Sequence, residues 1–278
     1  MTVGPDDIAA GVERLGLGGL PVGIHVSLRS FGGIVGGPAT LVNGLLAEGC
    51  TVLIPTMAGQ LFAIPAPPDD RPERNGRDYA EKDALAAAEP WPGQSDVYDA
   101  SRTEVDAWLG TTPAYVAARP DRHRAASVPG AFSAVGPLAA DLIAADEARD
   151  QFGPLRALVD RDGWVVLMGV SLTSMTLLHL SEVEAGRTPF VYWALGADRQ
   201  PVRTLGGGCS MGFDALAPVL APVERTTDVG SSRWRAFPAR DVIRLAAAAI
   251  RADPDVMRCA NAECLECRDA AAGGPILL

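Results

Sequence analysis

The sequence predicts a layered α/β domain, in which helices flank a sheet. Strand-like and helix-like segments alternate along the chain, which is typical of a sheet covered by helices. Residues 22–55 have the pattern of a strand-loop-helix-strand unit, and a second apolar strand at 164–168 leads into another helix. No convincing linker divides the 278 residues, so we expect a single domain over residues 1–278.

Proline, glycine and acidic residues mark where the first helices begin and end. Pro5 and two aspartates form an opening turn, Pro38 opens the next helix, and Gly49 stops it. Apolar runs between these signals predict strands. The expected elements here are a helix over 5–17, a strand over 22–26, a helix over 38–46 and a strand over 50–55.

Residues 57–100 depart from this alternation, because six prolines are interspersed there with a dense group of charges. A loop of this length in a compact domain is usually a functional lid or a disordered segment. We therefore expect a Pro-rich acidic insertion. Elsewhere, the pattern predicts helices over 101–109, 137–146, 213–220 and 239–252, and strands over 164–168, 189–195 and 221–226.

Charge and composition exclude several classes of protein. The chain has 24 lysines and arginines against 34 aspartates and glutamates, a formal net charge of -10, which disfavours a nucleic-acid partner. A small polycation fits this charge better, and solubility alone is an equal explanation of it. No apolar run reaches the roughly 20 residues of a membrane span and no signal peptide is evident, so we expect a cytoplasmic protein with reduced thiols.

One of the three histidines stands three residues before a carboxylate on a predicted helix. His179 and Glu182 therefore share a helix face, where the acid can orient the imidazole and fix its tautomer. The helix follows the strand at 164–168, and the carboxyl ends of strands border the ligand crevices of open α/β sheets. The pair predicts a general base with its orienting group. The alternative is a histidine satisfied within an apolar core.

A glycine-rich turn over residues 27–37 follows the first strand and leads into the second helix. Successive backbone amides in such a turn bind anionic or amide-bearing cofactors, and they can stabilise an oxyanion. Glycine lets a ligand approach the backbone closely. A purely structural turn gives the same pattern.

Residues 208–212 match the G-x-S-x-G nucleophile elbow of α/β-hydrolases. In those enzymes the catalytic histidine follows the serine, whereas His25, His123 and His179 all precede Ser210. No apolar strand leads into the motif either. A serine hydrolase is therefore a weaker alternative, and a tight turn explains the glycines.

Three of the five cysteines, Cys259, Cys264 and Cys267, cluster near the end of the chain. A zinc site needs a fourth ligand and no histidine follows, so Cys209 could complete one only if the fold brings it there. We therefore expect free thiols and no bound metal, with a labile disulfide as another alternative.

Two segments carry a resemblance to a known family. Residues 25–37 resemble the H-[ST]-S-L-x-x-x-G-x-[VI]-x-G-G signature of the aminoglycoside 3-N-acetyltransferase family, and residues 176–182 resemble its T-x-L-H-x-A-E motif. The motifs occur in the family's order, and the similarity extends from about residue 5 to 245. Residues 132–136 resemble the family's second cofactor-contacting segment. Where Thr173 stands, the family usually has an aspartate that could contact a cationic sugar.

The resemblance implies an enzyme that transfers an acetyl group directly from acetyl-coenzyme A to an amine of an aminoglycoside antibiotic. It implies a layered mixed sheet flanked by helices, distinct from the commoner GNAT fold, and it allows a homodimer. The acceptor would be a small polycationic amine, or a different amine in a relative with another substrate.

The family's site residues can be carried over by position. His179 would be the general base and Glu182 its partner. The resemblance implies cofactor contacts at His25, Val26, Ser27, Leu28, Arg29, Ser30, Val35, Gly36, Gly37, Phe132 and Ser133, and acceptor contacts at Thr56, Tyr79, Asp99 and Thr176.

Overall fold

The computed structural model describes residues 2–89, 91, 96–127, 131–146 and 149–276 of the chain. Within these ranges, no helix combines the length and apolar character needed to cross a membrane. The helices are α1 (Pro5–Leu15), α2 (Pro38–Ala47), α3 (Gly59–Phe62), α4 (Tyr79–Ala88), α5 (Thr111–Ala117), α6 (Ala139–Ile143), α7 (Gly153–Asp160), α8 (Leu177–Glu184), α9 (Ala217–Leu220), α10 (Ala239–Ala252) and α11 (Leu265–Ala271). The strands are β1 (Pro21–Val26), β2 (Thr51–Pro55), β3 (Ala63–Ile64), β4 (His123–Arg124), β5 (Phe132–Val135), β6 (Trp164–Met168), β7 (Phe190–Leu195), β8 (Pro201–Gly206), β9 (Arg225–Val229) and β10 (Ser232–Pro238).

The large sheet is mixed, with the strand order β4-β5-β2-β1-β6-β10-β9. Its centre is parallel, because β1 lies between β2 and β6 and runs parallel to both. The remaining neighbouring strands of this sheet pair antiparallel. A small sheet, β3-β7-β8, is antiparallel throughout. The expected mixed sheet flanked by helices is therefore confirmed.

The large sheet separates two apolar cores, since its central strands are buried on both faces. All five residues of β6 are buried, and they alternate between the cores. Val165 and Leu167 pack with α7, α8 and α10, whereas Val166 and Met168 pack with α1 and α2. The alternation follows from the two-residue period of a strand and explains why β6 is a continuous apolar run in the sequence.

The Pro-rich insertion at 57–100 is built into the fold where the structure describes it. Its strand β3 pairs with β7 in the small sheet. Asn75 exchanges two hydrogen bonds with the backbone of Val191, at 2.8 and 2.9 Å, and so ties the loop to the same strand. Asp78 caps α4 by accepting from two amides of its first turn. The described part of the insertion is therefore an ordered part of the domain, attached to the small sheet.

Several predicted elements match closely, among them the strand at 164–168 and the helix at 239–252. The predicted strand at 221–226 is wrong over most of its length. Residues Ala221–Val223 form a 3-10 turn, and β9 begins only at Arg225, where its pairing with β10 begins. Backbone pairing with the next strand, across the two-residue turn at 230–231, therefore set this boundary.

The predicted helix at 101–109 is also wrong, because only a 3-10 turn at Ala107–Leu109 is found there. The buried Arg124 guanidinium donates to the carbonyls of Arg102 and Glu104, at 2.6 and 2.7 Å. These hydrogen bonds satisfy both carbonyls in backbone that is not helical. The local helix pattern could not include this contact, because the side chain that makes it lies 20 residues away from Glu104.

Candidate active site

A cleft of about 1030 Å³ opens where the parallel strands β1, β2 and β6 end. The turn after β1, the segment after β2 and the segment after β6 all line it. The insertion supplies a second wall, and the loop after β8 supplies a third. The carboxyl ends of parallel strands are where open α/β sheets bind ligands, and the sequence predicted this position for the helix that carries His179.

His179 lies on α8 and contributes to the lining of the cleft. Its Nδ1 is 2.8 Å from Oε2 of Glu182, three residues along the helix. A carboxylate only accepts, so Nδ1 carries the proton and Nε2 is the nitrogen left to accept one. Arg187 donates to the other carboxylate oxygen at 2.7 Å. The result is a chain from Arg187 through Glu182 to the imidazole.

Packing fixes the plane of this imidazole. The His179 ring meets the Phe213 ring edge to face, with centroids 4.8 Å apart. On another side lies Gly207, where an added Cβ would be 2.2 Å from the His179 ring. Only glycine leaves room for the ring there. Because both the tautomer and the plane are fixed, the imidazole is prepared to act as a base.

The structure places part of the turn after β1 in the cleft. His25, Val26, Ser27, Leu28 and Arg29 line the cleft. The amides of Leu28 and Arg29 begin a 3-10 turn, and neither has a hydrogen bond among the residues that the structure describes. These amides are available to a carbonyl or phosphate oxygen.

His25 is the second histidine of the cleft and differs from the first. Burial lowers its pKa to about 4, so its ring is neutral at physiological pH. The part of the chain that the structure describes gives its ring no carboxylate partner. His25 can therefore donate or accept a hydrogen bond, but it does not supply positive charge to a ligand.

Of the other residues predicted to contact cofactor or acceptor, some line the cleft and some lie outside it. Phe132, Tyr79 and Thr176 line the cleft. Thr56 and Ser133 are fully buried and do not line the cleft. Their hydroxyl oxygens lie 2.9 Å apart and bond to each other. This bond joins the residue that follows β2 to β5, the strand paired with β2.

Further residues of the predicted set are not part of the cleft lining. The Ser30 hydroxyl donates to the carbonyl of Ser27 at 2.7 Å, within the turn. Asp99 is exposed and accepts from the Ser101 amide at 2.8 Å. Residues 35–37, which are Val35, Gly36 and Gly37, form an exposed or half-exposed turn before α2, and both glycines have a positive φ.

The cleft also contains charged residues that the sequence analysis missed. Arg77 and Lys82 from the insertion line it together with Arg29, whereas Asp106 is the one carboxylate among the described lining residues. Burial raises the pKa of Asp106, and the amide of Gln60 donates to its carboxylate at 2.9 Å. The Arg77 guanidinium lies 4.6 Å from the centre of the Tyr192 ring. Arg77 precedes α4 and Lys82 lies on it, and neither belongs to a recognised motif, so sequence reasoning had no means of placing them in the cleft.

Ser210 lines the same cleft, in the loop between β8 and the 3-10 turn at Phe213–Leu216. No hydrogen bond joins its hydroxyl to a histidine among the described residues. The strand before it belongs to the small antiparallel sheet, unlike the parallel strand that precedes a hydrolase elbow. The geometry gives the hydrolase alternative no support.

Known proteins resemble this chain in sequence. The family model described as aminoglycoside 3-N-acetyltransferase matches residues 24–251. Aminoglycoside N(3)-acetyltransferase VIII of Streptomyces fradiae is 32% identical over 203 residues, which are 70% of this chain and 65% of that protein. Aminoglycoside N(3)-acetyltransferase IX of Micromonospora chalcea is 33% identical over 58% of this chain and 54% of its own length. The chain thus spans less than two thirds of either curated relative.

Solved structures give a fuller overlap. The apoenzyme of aminoglycoside acetyltransferase AAC(3)-IVa superposes with a TM-score of 0.74 and 25% identity, covering 99% of this chain and 98% of that one. A mutant of the same enzyme has been solved in complex with a gentamicin. Aminoglycoside acetyltransferase AAC(3)-Xa superposes with a TM-score of 0.69 and 25% identity, covering 90% and 93% of the two chains.

Proposed function

Because this chain belongs to the aminoglycoside 3-N-acetyltransferase family, we propose that it transfers an acetyl group from acetyl-coenzyme A to an amine of an aminoglycoside. The observation that carries the proposal is the His179–Glu182 pair at the cleft, with Nδ1 and Oε2 2.8 Å apart. An amine that is protonated at neutral pH cannot attack a thioester until it loses a proton. Nε2 of His179 is the group that would take it.

The cleft fits a donor of this kind. It is large enough for a long cofactor arm and an acceptor together, at about 1030 Å³. Arg29 supplies positive charge for phosphates, and the amides of Leu28 and Arg29 supply donors. When bound, acetyl-coenzyme A supplies the activated acetyl group as a thioester.

The residues of the chain then have distinct roles in a direct transfer. With its first proton on Nε2, the acceptor nitrogen has a free lone pair and bonds to the carbonyl carbon, and the carbon-sulfur bond breaks. The second proton, which the nitrogen loses on becoming an amide, neutralises the departing thiolate, and the imidazolium returns the first proton to solvent. Glu182 and Arg187 hold the imidazole in place, and the Glu182 carboxylate offsets the positive charge that develops on it. The turn amides are available to the carbonyl oxygen as it becomes negative.

A second acceptor class is favoured by one observation. The wall formed by the insertion carries Arg77 and Lys82, and Asp106 is the only carboxylate among the described residues that line the cleft. The positive charges of Arg77 and Lys82 would repel a polycationic acceptor and so weaken its binding. An amine that also bears a carboxylate or phosphate would find a better electrostatic match in this wall, so a non-aminoglycoside acceptor is the alternative within the same family.

A product assay separates the two acceptor classes. The full chain is incubated with acetyl-coenzyme A and either an aminoglycoside panel or amines that bear a carboxylate or phosphate, and products are identified by mass. Acetylated aminoglycoside, lost in His179→Ala, supports the proposal. Turnover of the acidic amines alone supports the alternative, whereas no acyl transfer to any amine would contradict both.

Arg77→Ala sharpens this assay, with Arg244→Ala on the outer face of α10 as a matched control. If the acceptor is acidic, the loss of Arg77 raises its KM about tenfold or more. If the acceptor is an aminoglycoside, the same change leaves its KM unchanged or lower.

A further inference from the structure

Four of the five cysteines converge on one point outside the cleft. Cys209 comes from the loop after β8, whereas Cys259, Cys264 and Cys267 come from the segment between α10 and the middle of α11. Their four sulfur atoms all lie within 4.8 Å of one another. The fold thus supplies the fourth ligand whose absence from the local sequence led us to expect no metal.

The distances between the four sulfur atoms are those expected of four ligands to one metal ion. Four thiolates around one zinc ion at about 2.3 Å each place their sulfurs roughly 3.8 Å apart, the edge of the tetrahedron. A disulfide would bring two sulfurs to about 2 Å and leave the other two unpaired. All five cysteines are free thiols in this structure. Four mutually adjacent sulfurs therefore fit a tetrahedral ion better than they fit paired bridges.

Local structure around the sulfurs agrees with metal ligation. Cys264 and Cys267 have the C-x2-C spacing that recurs in zinc ribbons and knuckles. The amide of Cys259 donates to Sγ of Cys267 at 3.4 Å. Amides that donate to ligand sulfurs hold them in place and offset part of their negative charge.

We propose that Cys209, Cys259, Cys264 and Cys267 bind one zinc ion in a closed, structural site. Binding to four thiols releases their protons and leaves a site of two net negative charges. With four protein ligands no coordination position stays open for water or substrate, so the ion takes no part in acyl transfer. The proposal therefore stands apart from the proposed function.

The proposed zinc site lies between the loop after β8 and the C-terminal segment, so a bound ion would stabilise their packing. The loop that carries Cys209 also carries Gly207, which packs on the His179 ring. Farther along this loop, the backbone at Gly212 is so close to the Met257 carbonyl that an added Cβ would lie 2.1 Å from it. The ion would join this loop to the C-terminal segment and thereby hold one wall of the cleft.

Metal content of the full-length protein tests the proposal directly. Protein purified without chelator from zinc-supplemented cells is expected to contain about one zinc per chain by elemental mass spectrometry. Cobalt substitution should give the visible bands of tetrahedral thiolate coordination. The Cys209→Ser and Cys259→Ser variants should each contain about one tenth or less of the zinc per chain found in the unmodified protein. The matched control is Cys50→Ser, since Cys50 is buried elsewhere and its thiol donates to the carbonyl of Leu17.

Measurements on the unmodified chain keep the test decisive if a variant fails to fold. A strong chelator should remove the zinc, lower the melting temperature and make four thiols newly reactive toward a thiol reagent. The proposal is overturned if the zinc-grown protein is folded and metal-free, if it contains a disulfide among these cysteines, or if both serine variants keep their zinc.

Discussion

The two histidines of the cleft, His179 and His25, differ in what surrounds them. His179 has a carboxylate at 2.8 Å, and that carboxylate is itself held by Arg187. His25 lies on β1 with burial as the one cause of its lowered pKa, about 4. Position in a cleft therefore does not by itself make a base. The proposed base differs from His25 in having a partner acid, which holds the ring in one tautomer.

The largest expected effect is from His179→Ala, which removes the proton acceptor. Since general-base catalysis typically contributes about 10²- to 10⁴-fold, kcat of the folded variant should fall by that factor. Thiol release from acetyl-coenzyme A in the presence of an accepting amine measures it. His123→Ala, at an exposed position on β4, is the control. Near-normal turnover by the His179 variant would remove it from the mechanism.

Gly207→Ala displaces the ring without changing its chemistry. The new Cβ would lie 2.2 Å from the imidazole, so either the ring or the loop must move. A misplaced catalytic group costs roughly 10²-fold in rate, and overpacking costs about 1–3 kcal/mol of stability. Turnover and thermal unfolding measure the two effects. The control is Gly18→Ala, where the atom nearest to the new Cβ would be 3.7 Å away, and it should change neither the turnover rate nor the melting temperature. If the Gly207 and Gly18 variants show the same rate and melting temperature, the packing argument is contradicted.

Glu182→Gln leaves His179, like His25, without a carboxylate partner. The glutamine can still accept from Nδ1, but it no longer offsets charge on the ring, so kcat should fall roughly 10- to 100-fold with little change in the KM for acceptor. Glu184→Gln, exposed on the same helix, should behave as the native protein. If kcat stays unchanged in the Glu182 variant, the carboxylate is only a structural contact.

His25→Gln should change acid stability more than rate. In the unfolded chain this histidine takes up a proton near pH 6.5, whereas the folded protein resists protonation until about pH 4. Acidification between these values therefore favours unfolding, by on the order of 1–3 kcal/mol from this residue. Thermal unfolding of native and variant protein from pH 7 to pH 4 measures it. Parallel curves would show that His25 is not the group responsible.

Local patterns predicted those parts of the molecule whose partners lie within a few residues. The strand β6 and the helix α10 follow from their own apolar spacing, and the bond between His179 and Glu182 follows from one helical turn. The insertion gave no such signal. Its charges enter the cleft because β3 and Asn75 anchor it to the small sheet, and no sequence period records that contact.

The sequence by itself determined the alternating elements, the layered sheet and the histidine-carboxylate pair, because periodicity and i, i+3 spacing are fixed by backbone geometry. Only the tertiary structure decided that Thr56 and Ser133 bond to each other, that Arg77 lines the cleft, and that the thiol of Cys209 joins the other three. Cys209 lies 50 residues before Cys259, and only the packing of the whole chain brings such distant groups together.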